Sequence, residues 1–338
     1  MLAEDLPVWF VRGVAFLFGA LWGSFFNVAV YRWPREMSVV SPPSHCPACG
    51  EPVPWYRNVP ILAYVLQQGR AACCGAPLTP RYLLVEVISG VLCVAIAERF
   101  FVHSDQLTAG DASVQTLLYF AFAGALLVAT FTDLEWMIIP DEVTLPGAAL
   151  GLVSVAWRDV DAAEMAIGAG AGFLLVQLVF VWSYERLTGR RGMGEGDAKL
   201  LLLIGAFLGW RGVLFSVAAG SIQGVVAAAV AFVTRRPLAP GLRPAQDEAP
   251  ANQAGTPLRA RCEEIEAAAM DPAPTEGDES LERSPDENEA DEATDLDPPV
   301  DLDAGPPKVP FGPFLALGAL EWFFFGETVV EWYLRLLP

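Results

Sequence analysis

Three aspartates at the ends of apolar segments have the type and spacing to do chemistry. Asp133 directly follows the apolar stretch 114–132, Asp141 lies shortly after it, and Asp197 directly precedes the stretch 198–210. Ionisable groups at the edge of a membrane segment are costly, which makes them candidates for function. Two carboxylates that lie close together share a proton, so one can take a proton from water while the other protonates a carbonyl. Asp133 and Asp197 are therefore a candidate aspartic protease pair.

An aspartate at the start of a helix is also a common N-cap, because its side chain accepts a hydrogen bond from the first turn. This role fits Asp141, and we predict that it is a cap rather than a catalytic group. For Asp197 a cap and a catalytic carboxylate are equally open. Asp133 closes its segment, where the helix dipole disfavours a carboxylate, so its position needs another reason. Glu135 and Glu195 are predicted to be solvated loop residues.

The segments that must position these aspartates are apolar enough to enter a membrane. The chain has 338 residues, of which 54% are hydrophobic and 18% charged, and its mean hydropathy is +0.40. Eight apolar segments are candidate spans: 8–30, 83–102, 114–132, 143–157, 164–184, 198–210, 212–233 and 311–331. Backbone polar groups in lipid must be satisfied within a segment, so these segments should be helices. We predict an all-α polytopic membrane protein, embedded in the lipid bilayer, with about eight transmembrane helices.

Arginines in the loops predict the orientation, because basic residues are enriched in cytoplasmic loops. With eight spans, one side receives Arg32, Arg35, Arg57, Arg70, Arg81, Arg186, Arg190, Arg191, Arg235 and Arg236. Arg158 and Arg211, on the opposite side, are minor exceptions. The arginine-rich side is therefore predicted to be cytoplasmic, and Asp133 and Asp197 both lie at its membrane edge.

Two stretches between the spans are predicted to be soluble and cytoplasmic. The net charge of −19 is concentrated in one of them, since residues 242–309 contain 19 acidic and 5 basic residues. That composition buries too little apolar surface to offset the entropy of ordering, so we predict disorder there. The predicted organisation is a first transmembrane helix (1–30), a cytoplasmic cysteine-containing domain (31–82), a transmembrane core (83–233), an acidic cytoplasmic insert (234–309) and a last transmembrane helix (310–338).

Four of the six cysteines cluster in the domain 31–82, which favours a metal site over disulfides. Cys46 and Cys49 have the regular spacing of a zinc-binding pair. The other two, Cys73 and Cys74, are adjacent, and adjacent ligands strain the loop that carries them. Three arrangements remain open: a structural zinc held by all four thiolates, a three-thiolate site completed by His45 or water, and a metal-free loop.

The order of these motifs resembles the type IV prepilin peptidases, a family of GxGD membrane aspartic proteases. Residues 194–200, Gly-Glu-Gly-Asp-Ala-Lys-Leu, resemble the family's GxGDxKL motif, and Asp133 with residues 139–141, Ile-Pro-Asp, resembles its first catalytic block. The resemblance extends in order through nearly the whole chain outside the acidic insert. It includes residues 23–28 with Tyr31 and Arg32, residues 46–49 and 58–62, Arg81, Tyr82 and Glu86, and residues 310–316.

The resemblance implies a function. Asp133 and Asp197 would be the catalytic pair, supported by Gly194, Gly196, Lys199 and Asp141. The substrates would be type IV prepilins or type II secretion pseudopilins, cut on the cytoplasmic side of the bacterial inner membrane to remove a basic leader. N-methylation of the new N-terminus by S-adenosylmethionine is implied as well, although no GxGxxG motif after a strand marks a methyl-donor site.

The resemblance is weakest at the second cysteine pair. The family's pattern there is CxxC, and Ala71 stands where the first cysteine of that pair is expected, while Cys74 aligns with the second. Cys73 is the residue that could substitute for the missing ligand.

The main alternative to a protease is an intramembrane proton- or cation-coupled transporter. A transporter predicts charged residues near the centres of the spans, whereas the aspartates here cluster at one edge. A non-catalytic scaffold that recruits partners through the acidic insert would leave residues 194–197 unexplained. No nucleic-acid partner is expected.

Overall fold

The computed structural model describes residues 6–46, 48–103, 107–158, 160–188, 194–234 and 310–336, and these residues form helices and no strands. The helices are α1 (Val8–Arg32), α2 (Leu62–Leu66), α3 (Arg81–Phe101), α4 (Ala109–Trp136), α5 (Asp141–Val153), α6 (Val155–Arg158), α7 (Ala162–Leu174), α8 (Tyr184–Thr188), α9 (Glu195–Thr234) and α10 (Gly312–Leu336). A π-helical stretch, Leu175–Ser183, joins α7 to α8. Residues 235–309, almost all of the predicted acidic insert, lie outside the described residues.

Each of the eight predicted apolar segments coincides with helical structure. Four helical stretches are long and apolar enough to cross a membrane, and a shorter apolar helix lies at 312–326. The four stretches are Val8–Arg35, Ala109–Trp136, Ala162–Leu187 and Glu195–Thr234. The predicted all-α multi-pass membrane architecture is therefore confirmed, while the number of eight spans stays a prediction.

Helix α9 is broken near its middle, close to the predicted boundary between two spans. Gly209 has φ 67° and ψ −174°, a conformation that is nearly exclusive to glycine. The break leaves carbonyls of the first half, 195–208, without intrahelical partners. Arg158 is buried and donates hydrogen bonds of 2.9 Å to the carbonyl oxygens of Ala206 and Phe207. Arg158 thus caps the C-terminal end of that half-helix, where a positive charge interacts favourably with the helix dipole.

Small residues let α1 and α3 approach each other closely. A Cβ atom on Gly23 would lie 2.7 Å from the Cα atom of Glu86, and one on Gly19 would lie 2.6 Å from the Cβ atom of Cys93. The Ser89 hydroxyl adds a buried hydrogen bond of 2.7 Å to the Gly19 carbonyl. Glycines four residues apart are a common means of packing helices in membranes. This contact brings the C-terminal half of α1 against the start of α3.

The first half of α9 is enclosed by α4, α5 and α7. The rings of Phe122 and Phe207 stack with centroids 4.6 Å apart. Gly151 of α5 faces Phe207 so closely that an added Cβ atom would lie 2.8 Å from the ring, and Gly205 approaches the α7 backbone at Gly168 equally tightly. The second half of α9 packs on α10. The position of Asp197, at the start of the first half, is therefore fixed by tight packing on several sides.

Candidate active site

Asp133 lies in the last turn of α4 and its side chain is buried, with 7% of the residue exposed. The helix ends just beyond it, because Met137 adopts a left-handed conformation and donates its N–H to the Asp133 carbonyl at 3.0 Å. The backbone N–H of Gly312, at the start of α10, donates to Asp133 Oδ2 at 2.9 Å. This bond fixes the carboxylate between α4 and α10.

Asp197 lies in the first turn of α9 and is also buried, with 8% exposed. Its carboxylate lies close enough to Asp133 for the two charges to interact. Its backbone N–H donates to the carbonyl of Gly194 at 3.2 Å, which shapes the turn that leads into the helix. The structure thus places Asp197 inside the helix and brings it towards Asp133.

The side chain of Ile139 joins the segments that carry the two aspartates. A Cβ atom added to Gly196 would lie 3.0 Å from Ile139 Cβ, and one added to Gly312 would lie 3.1 Å from Ile139 Cδ1. The same atom on Gly312 would lie 2.8 Å from Asp133 Oδ2. Glycine at both positions therefore allows three distant parts of the chain to converge. Gly312 has no individual role predicted from the sequence, although it lies within the stretch 310–316 that resembles the family.

The prediction that Asp141 is an N-cap is wrong. Pro140 occupies the N-cap position of α5, and Asp141 is the first residue inside the helix. Its carboxylate oxygens instead accept two hydrogen bonds from Lys199 Nζ, at 2.6 and 2.7 Å. A carboxylate in the first turn still matches the helix dipole, but its partner is a cation from α9. Asp141 and Lys199 therefore tie the start of α5 to the start of α9 beside the aspartates.

The prediction that Glu135 is a solvated loop residue is also wrong. Glu135 is buried in the last turn of α4 and accepts a hydrogen bond of 2.7 Å from the equally buried guanidinium of Arg81. Burial of a charge is tolerated when an opposite charge pairs with it. Glu195, by contrast, is exposed at the start of α9. The Arg81–Glu135 pair links the start of α3 to the segment of Asp133. In the sequence, the only sign of this pairing is that both charged residues lie at the edges of predicted spans.

The four clustered cysteines form a second candidate site, where all four sulfur atoms lie within 4.8 Å of one another. The separations are 3.3 Å for Cys49 and Cys73, 3.8 Å for Cys46 and Cys74, and 3.9 Å for Cys73 and Cys74. Tetrahedral coordination with Zn–S bonds of about 2.3 Å requires sulfurs about 3.8 Å apart. The positions of the four sulfur atoms, including that of Cys73, are therefore suitable for binding one metal ion.

His45 is not part of the cysteine cluster. Its Nδ1 atom lies 3.2 Å from the carbonyl oxygen of Pro43, and the group that could hold a metal consists of the four cysteines alone among the described residues. The alternative of a three-thiolate site completed by His45 therefore finds no support in this geometry.

Two loops of the same shape carry the cysteines. In the first, the Cys46 N–H donates to the Glu51 carbonyl and the Gly50 N–H to the Cys46 carbonyl, at 2.8 and 2.9 Å. In the second, the Ala71 N–H donates to the Ala76 carbonyl and the Gly75 N–H to the Ala71 carbonyl, at 2.8 and 2.7 Å. Gly50 and Gly75 have matching φ values of 74° and 71°. Ala71 therefore occupies the place that Cys46 occupies in the first loop, and Cys73 supplies its sulfur from two residues further on.

The thiols of the cluster differ in acidity. Burial and the neighbouring thiols raise the pKa of Cys73 and of Cys74. For Cys46 burial is the largest single influence and acts in the same direction, but hydrogen bonds from the backbone N–H groups of Cys49 and Ala48 and from the thiols of Cys73 and Cys49 together lower the pKa. Thiolates crowded in this way repel one another, and a bound cation would relieve that repulsion.

Comparison with known proteins identifies the family. Residues 17–100 match the bacterial peptidase A24 N-terminal domain and residues 120–229 match the type IV leader peptidase family. A prepilin leader peptidase/N-methyltransferase of Klebsiella pneumoniae is 37% identical over 203 residues, covering 58% of this chain and 84% of that protein. One of Myxococcus xanthus is 31% identical over 338 residues, covering 96% of this chain and 91% of the relative.

The relative from Aeromonas hydrophila, with the same name, is 34% identical over 253 residues, covering 66% of this chain and 83% of the relative. No solved structure matches the chain. The resemblance that the sequence motifs suggested is confirmed by matches that include both the cysteine loops and the segments carrying Asp133 and Asp197. The chain belongs to the type IV leader peptidase family.

Proposed function

We propose that this protein removes the leader from type IV prepilins or type II secretion pseudopilins, with Asp133 and Asp197 as the catalytic pair. The observation that carries the proposal is the convergence of these two buried carboxylates from α4 and α9, beside the backbone N–H of Gly312. Family membership and the names of the relatives support the same reaction.

The proposed chemistry follows from the shared proton of two neighbouring carboxylates. The ionised carboxylate takes a proton from a water molecule, whose oxygen attacks the scissile carbonyl, while the protonated one donates to the carbonyl oxygen. Collapse of the tetrahedral intermediate breaks the C–N bond, and the amine leaves with a proton. Gly194 leaves space beside Asp197 for the substrate backbone, whereas Gly196 lets Ile139 pack closely against the start of α9. The Asp141–Lys199 ion pair holds the start of α5 in register with α9.

The arginine distribution supports an orientation in which this site faces the cytoplasm, in the bacterial inner membrane. In this proposal residues 31–82 form a small cytoplasmic domain, residues 83–233 the core that carries the protease, and residues 234–309 a solvated acidic spacer. The relatives' names also support a second reaction, N-methylation of the new N-terminus with S-adenosylmethionine as the methyl donor.

We propose zinc as the metal of the cysteine cluster, because four thiolates at these separations suit its tetrahedral coordination. A zinc ion held by Cys46, Cys49, Cys73 and Cys74 would be structural, since no ligand position is left open for water. It would cross-link the two loops and take no part in hydrolysis.

Co-expression with a prepilin tests the peptidase. Asp133→Asn and Asp197→Asn should each lower leader cleavage by at least about 10³-fold, because each removes a member of a unit that acts together. Asp111→Asn, at the other end of α4, is the matched control and should cleave as the wild type does. Cleavage is measured by mass spectrometry of the substrate, with immunoblotting of the membrane fraction to show normal insertion. Cleavage at the wild-type rate by either active-site variant would refute the mechanism.

The transporter alternative receives no support from the family or from the relatives' names. One intramembrane carboxylate was missed by the sequence analysis: Glu321 of α10 accepts hydrogen bonds of 2.9 and 2.8 Å from the amide of Gln223. This pair joins α10 to the second half of α9, and a structural tie between two helices accounts for it.

A further inference from the structure

The last turn of α4, which carries Asp133, is also bound by a buried ion pair. The guanidinium of Arg81 contacts both carboxylate oxygens of Glu135 and donates to Oε1 at 2.7 Å. The side chains of Arg81 and Glu135 are only 4% and 1% exposed. A charge buried this deeply needs its partner, because an unpaired charge away from water is very costly. The proposed hydrolysis uses neither side chain as its acid or its base.

A second arginine contacts the next residue of α4. The Arg35 guanidinium lies 3.9 Å from the ring centroid of Tyr31 and 4.3 Å from that of Trp136. It also donates to the Tyr31 carbonyl at 2.7 Å, and its charge is close enough to Glu135 for the two to interact. Guanidinium groups are attracted to the faces of aromatic rings. The end of α4 is thus joined both to the start of α3 and to the segment that follows α1.

Asp133 and Glu135 leave α4 in nearly opposite directions. An α-helix turns by about 100° per residue, so side chains two residues apart point about 200° away from each other. Asp133 accepts the N–H of Gly312 at the start of α10, whereas Glu135 accepts from Arg81 at the start of α3. The helix ends just beyond, at the left-handed Met137. The last turn is therefore held from two sides, and loss of the Arg81 contact would leave it held by α10 alone.

A buried ion pair fixes geometry better than it adds stability. Removing two charges from water costs about as much as their attraction returns, so apolar side chains of similar size are often equally stable in the same place. An apolar pair lacks direction, however, because charged hydrogen bonds fix the angle as well as the distance between two groups. The Arg81–Glu135 contact is therefore suited to holding the end of α4 in a single rotation about its axis.

We propose that Arg81 and Glu135 are positioning residues for leader cleavage, which hold Asp133 within reach of Asp197. The inference rests on the proposed function and extends the machinery of cleavage to the N-terminal domain, because Arg81 lies in the matched region 17–100 and Glu135 in the region 120–229. A displacement of about 1 Å at a reacting group can reduce catalysis about 100-fold. The ion pair acts on the catalytic step through the backbone of α4.

Single substitutions test whether the ion pair controls cleavage. In purified protein with a prepilin peptide, Glu135→Gln and Arg81→Met should each lower kcat by about 10- to 100-fold and leave KM within about two-fold, because the pair orients the reacting carboxylate and does not bind substrate. Glu98→Gln is the matched control and should cleave as the wild type does, since it removes a partly exposed ion pair with Arg12 at the other end of α3. A wild-type kcat in either pair variant would overturn the inference.

An apolar replacement of the whole pair separates positioning from a purely structural role. The double variant Arg81→Met/Glu135→Leu leaves no unpaired charge, so its melting temperature should stay close to that of the wild type. Its kcat should nevertheless remain as low as in the single variants. Tryptophan fluorescence in detergent measures the first quantity and initial cleavage rates the second. Wild-type cleavage by the double variant would contradict the proposal, because packing alone would then position Asp133.

Arg81→Lys provides the same distinction in a protein that keeps both charges. Lysine loses the planar guanidinium, so kcat should fall by about five-fold at an unchanged melting temperature. A wild-type kcat would refute the positioning role. A parallel fall in kcat and melting temperature would also refute it, because the pair would then serve only to stabilise the fold.

Failure of this inference is distinguishable from failure of the proposed function. A wild-type protein that does not cleave the prepilin peptide refutes the proposed function itself. If the wild type cleaves and Asp133→Asn does not, a wild-type kcat in the pair variants refutes only the role of Arg81 and Glu135.

Discussion

The aspartate site and the cysteine loops are built in opposite ways. Asp133 and Asp197 are buried and lie on long helices that pack through close-fitting glycines and aromatic rings. In the cysteine region, only Cys46 and Ala71 are buried among the described residues from 36 to 80, and the one α-helix there has five residues. The first site is positioned by packing, and the second has almost no core of its own. Metal ligation must therefore replace packing in the cysteine region.

The largest loss of leader cleavage is expected when a single methyl group is added at the packed aspartate site. Gly312→Ala would place a Cβ atom 2.8 Å from Asp133 Oδ2 and so displace the carboxylate. Misplacement on this scale can reduce catalysis about 100-fold, and initial cleavage rates in membranes measure it. Gly13→Ala is the matched control, because a Cβ atom there meets nothing within 4 Å. Equal rates for both variants would show that Asp133 is not held as tightly as its contacts indicate.

Loss of a cysteine ligand should affect the cysteine loops and leave the aspartate site intact. Cys49→Ser is expected to reduce zinc from about one ion per chain to near zero and to expose the loops to proteases, because structural zinc supplies folding energy. Leader cleavage should stay within about three-fold of wild type, since the aspartates are held by helix packing. Elemental analysis and limited proteolysis measure the two effects, with Cys93→Ser as the control. Zinc-free wild-type protein with ordered loops would contradict the role of ligation.

Because the two loops have matching backbone shapes, we expect that the metal-binding thiolate can be moved from position 73 to position 71. Cys73→Ala should lose zinc, whereas Ala71→Cys combined with Cys73→Ala should recover it, because position 71 in the second loop corresponds to Cys46 in the first. Elemental analysis of the two variants gives the result directly. A double variant as poor in zinc as the single one would show that the two loops are not interchangeable.

The smallest effect is expected at the ion pair beside the aspartates. The side chains of Lys199 and Asp141 are 26% and 52% exposed, and partly exposed pairs contribute only about 0.2–1 kcal/mol. Lys199→Met and Asp141→Asn should therefore each reduce cleavage by about two- to five-fold. The double variant should be no worse than either one, since all three lose the same contact. If the reductions in cleavage rate were additive in steady-state kinetics, the two residues would have separate roles.

Helical architecture and the aspartate segments were accessible from the sequence because both depend on local patterns. Apolar length marks the helices, and the glycines before Asp197 mark a close backbone approach. The partners of charged residues were not accessible in this way. Asp141 was assigned to capping and Glu135 to solvent, yet each pairs with a cation distant in the chain, Lys199 and Arg81. Such pairings depend on how helices pack, which periodicity does not encode.

In the cysteine region too, the sequence alone did not determine which residues act together. Spacing alone left Cys73 uncertain, since adjacent ligands strain a loop. The structure accommodates it because the second loop keeps the backbone shape of the first while its sulfur comes from a shifted position. Alternatives that differ only in backbone geometry cannot be separated by counting residues between cysteines.

The break in α9 at Gly209 has a consequence for the lipid around the aspartates. The half-helix 195–208 is about 21 Å long and α5, with 13 residues, is about 20 Å long. The hydrocarbon core of a bilayer is about 30 Å thick, so this pair of helices is hydrophobically mismatched with it. We expect the bilayer to thin beside them, carrying the water interface inward to Asp197. A peptide bond at the end of a membrane-anchored helix could then meet water without being pulled out of its leaflet.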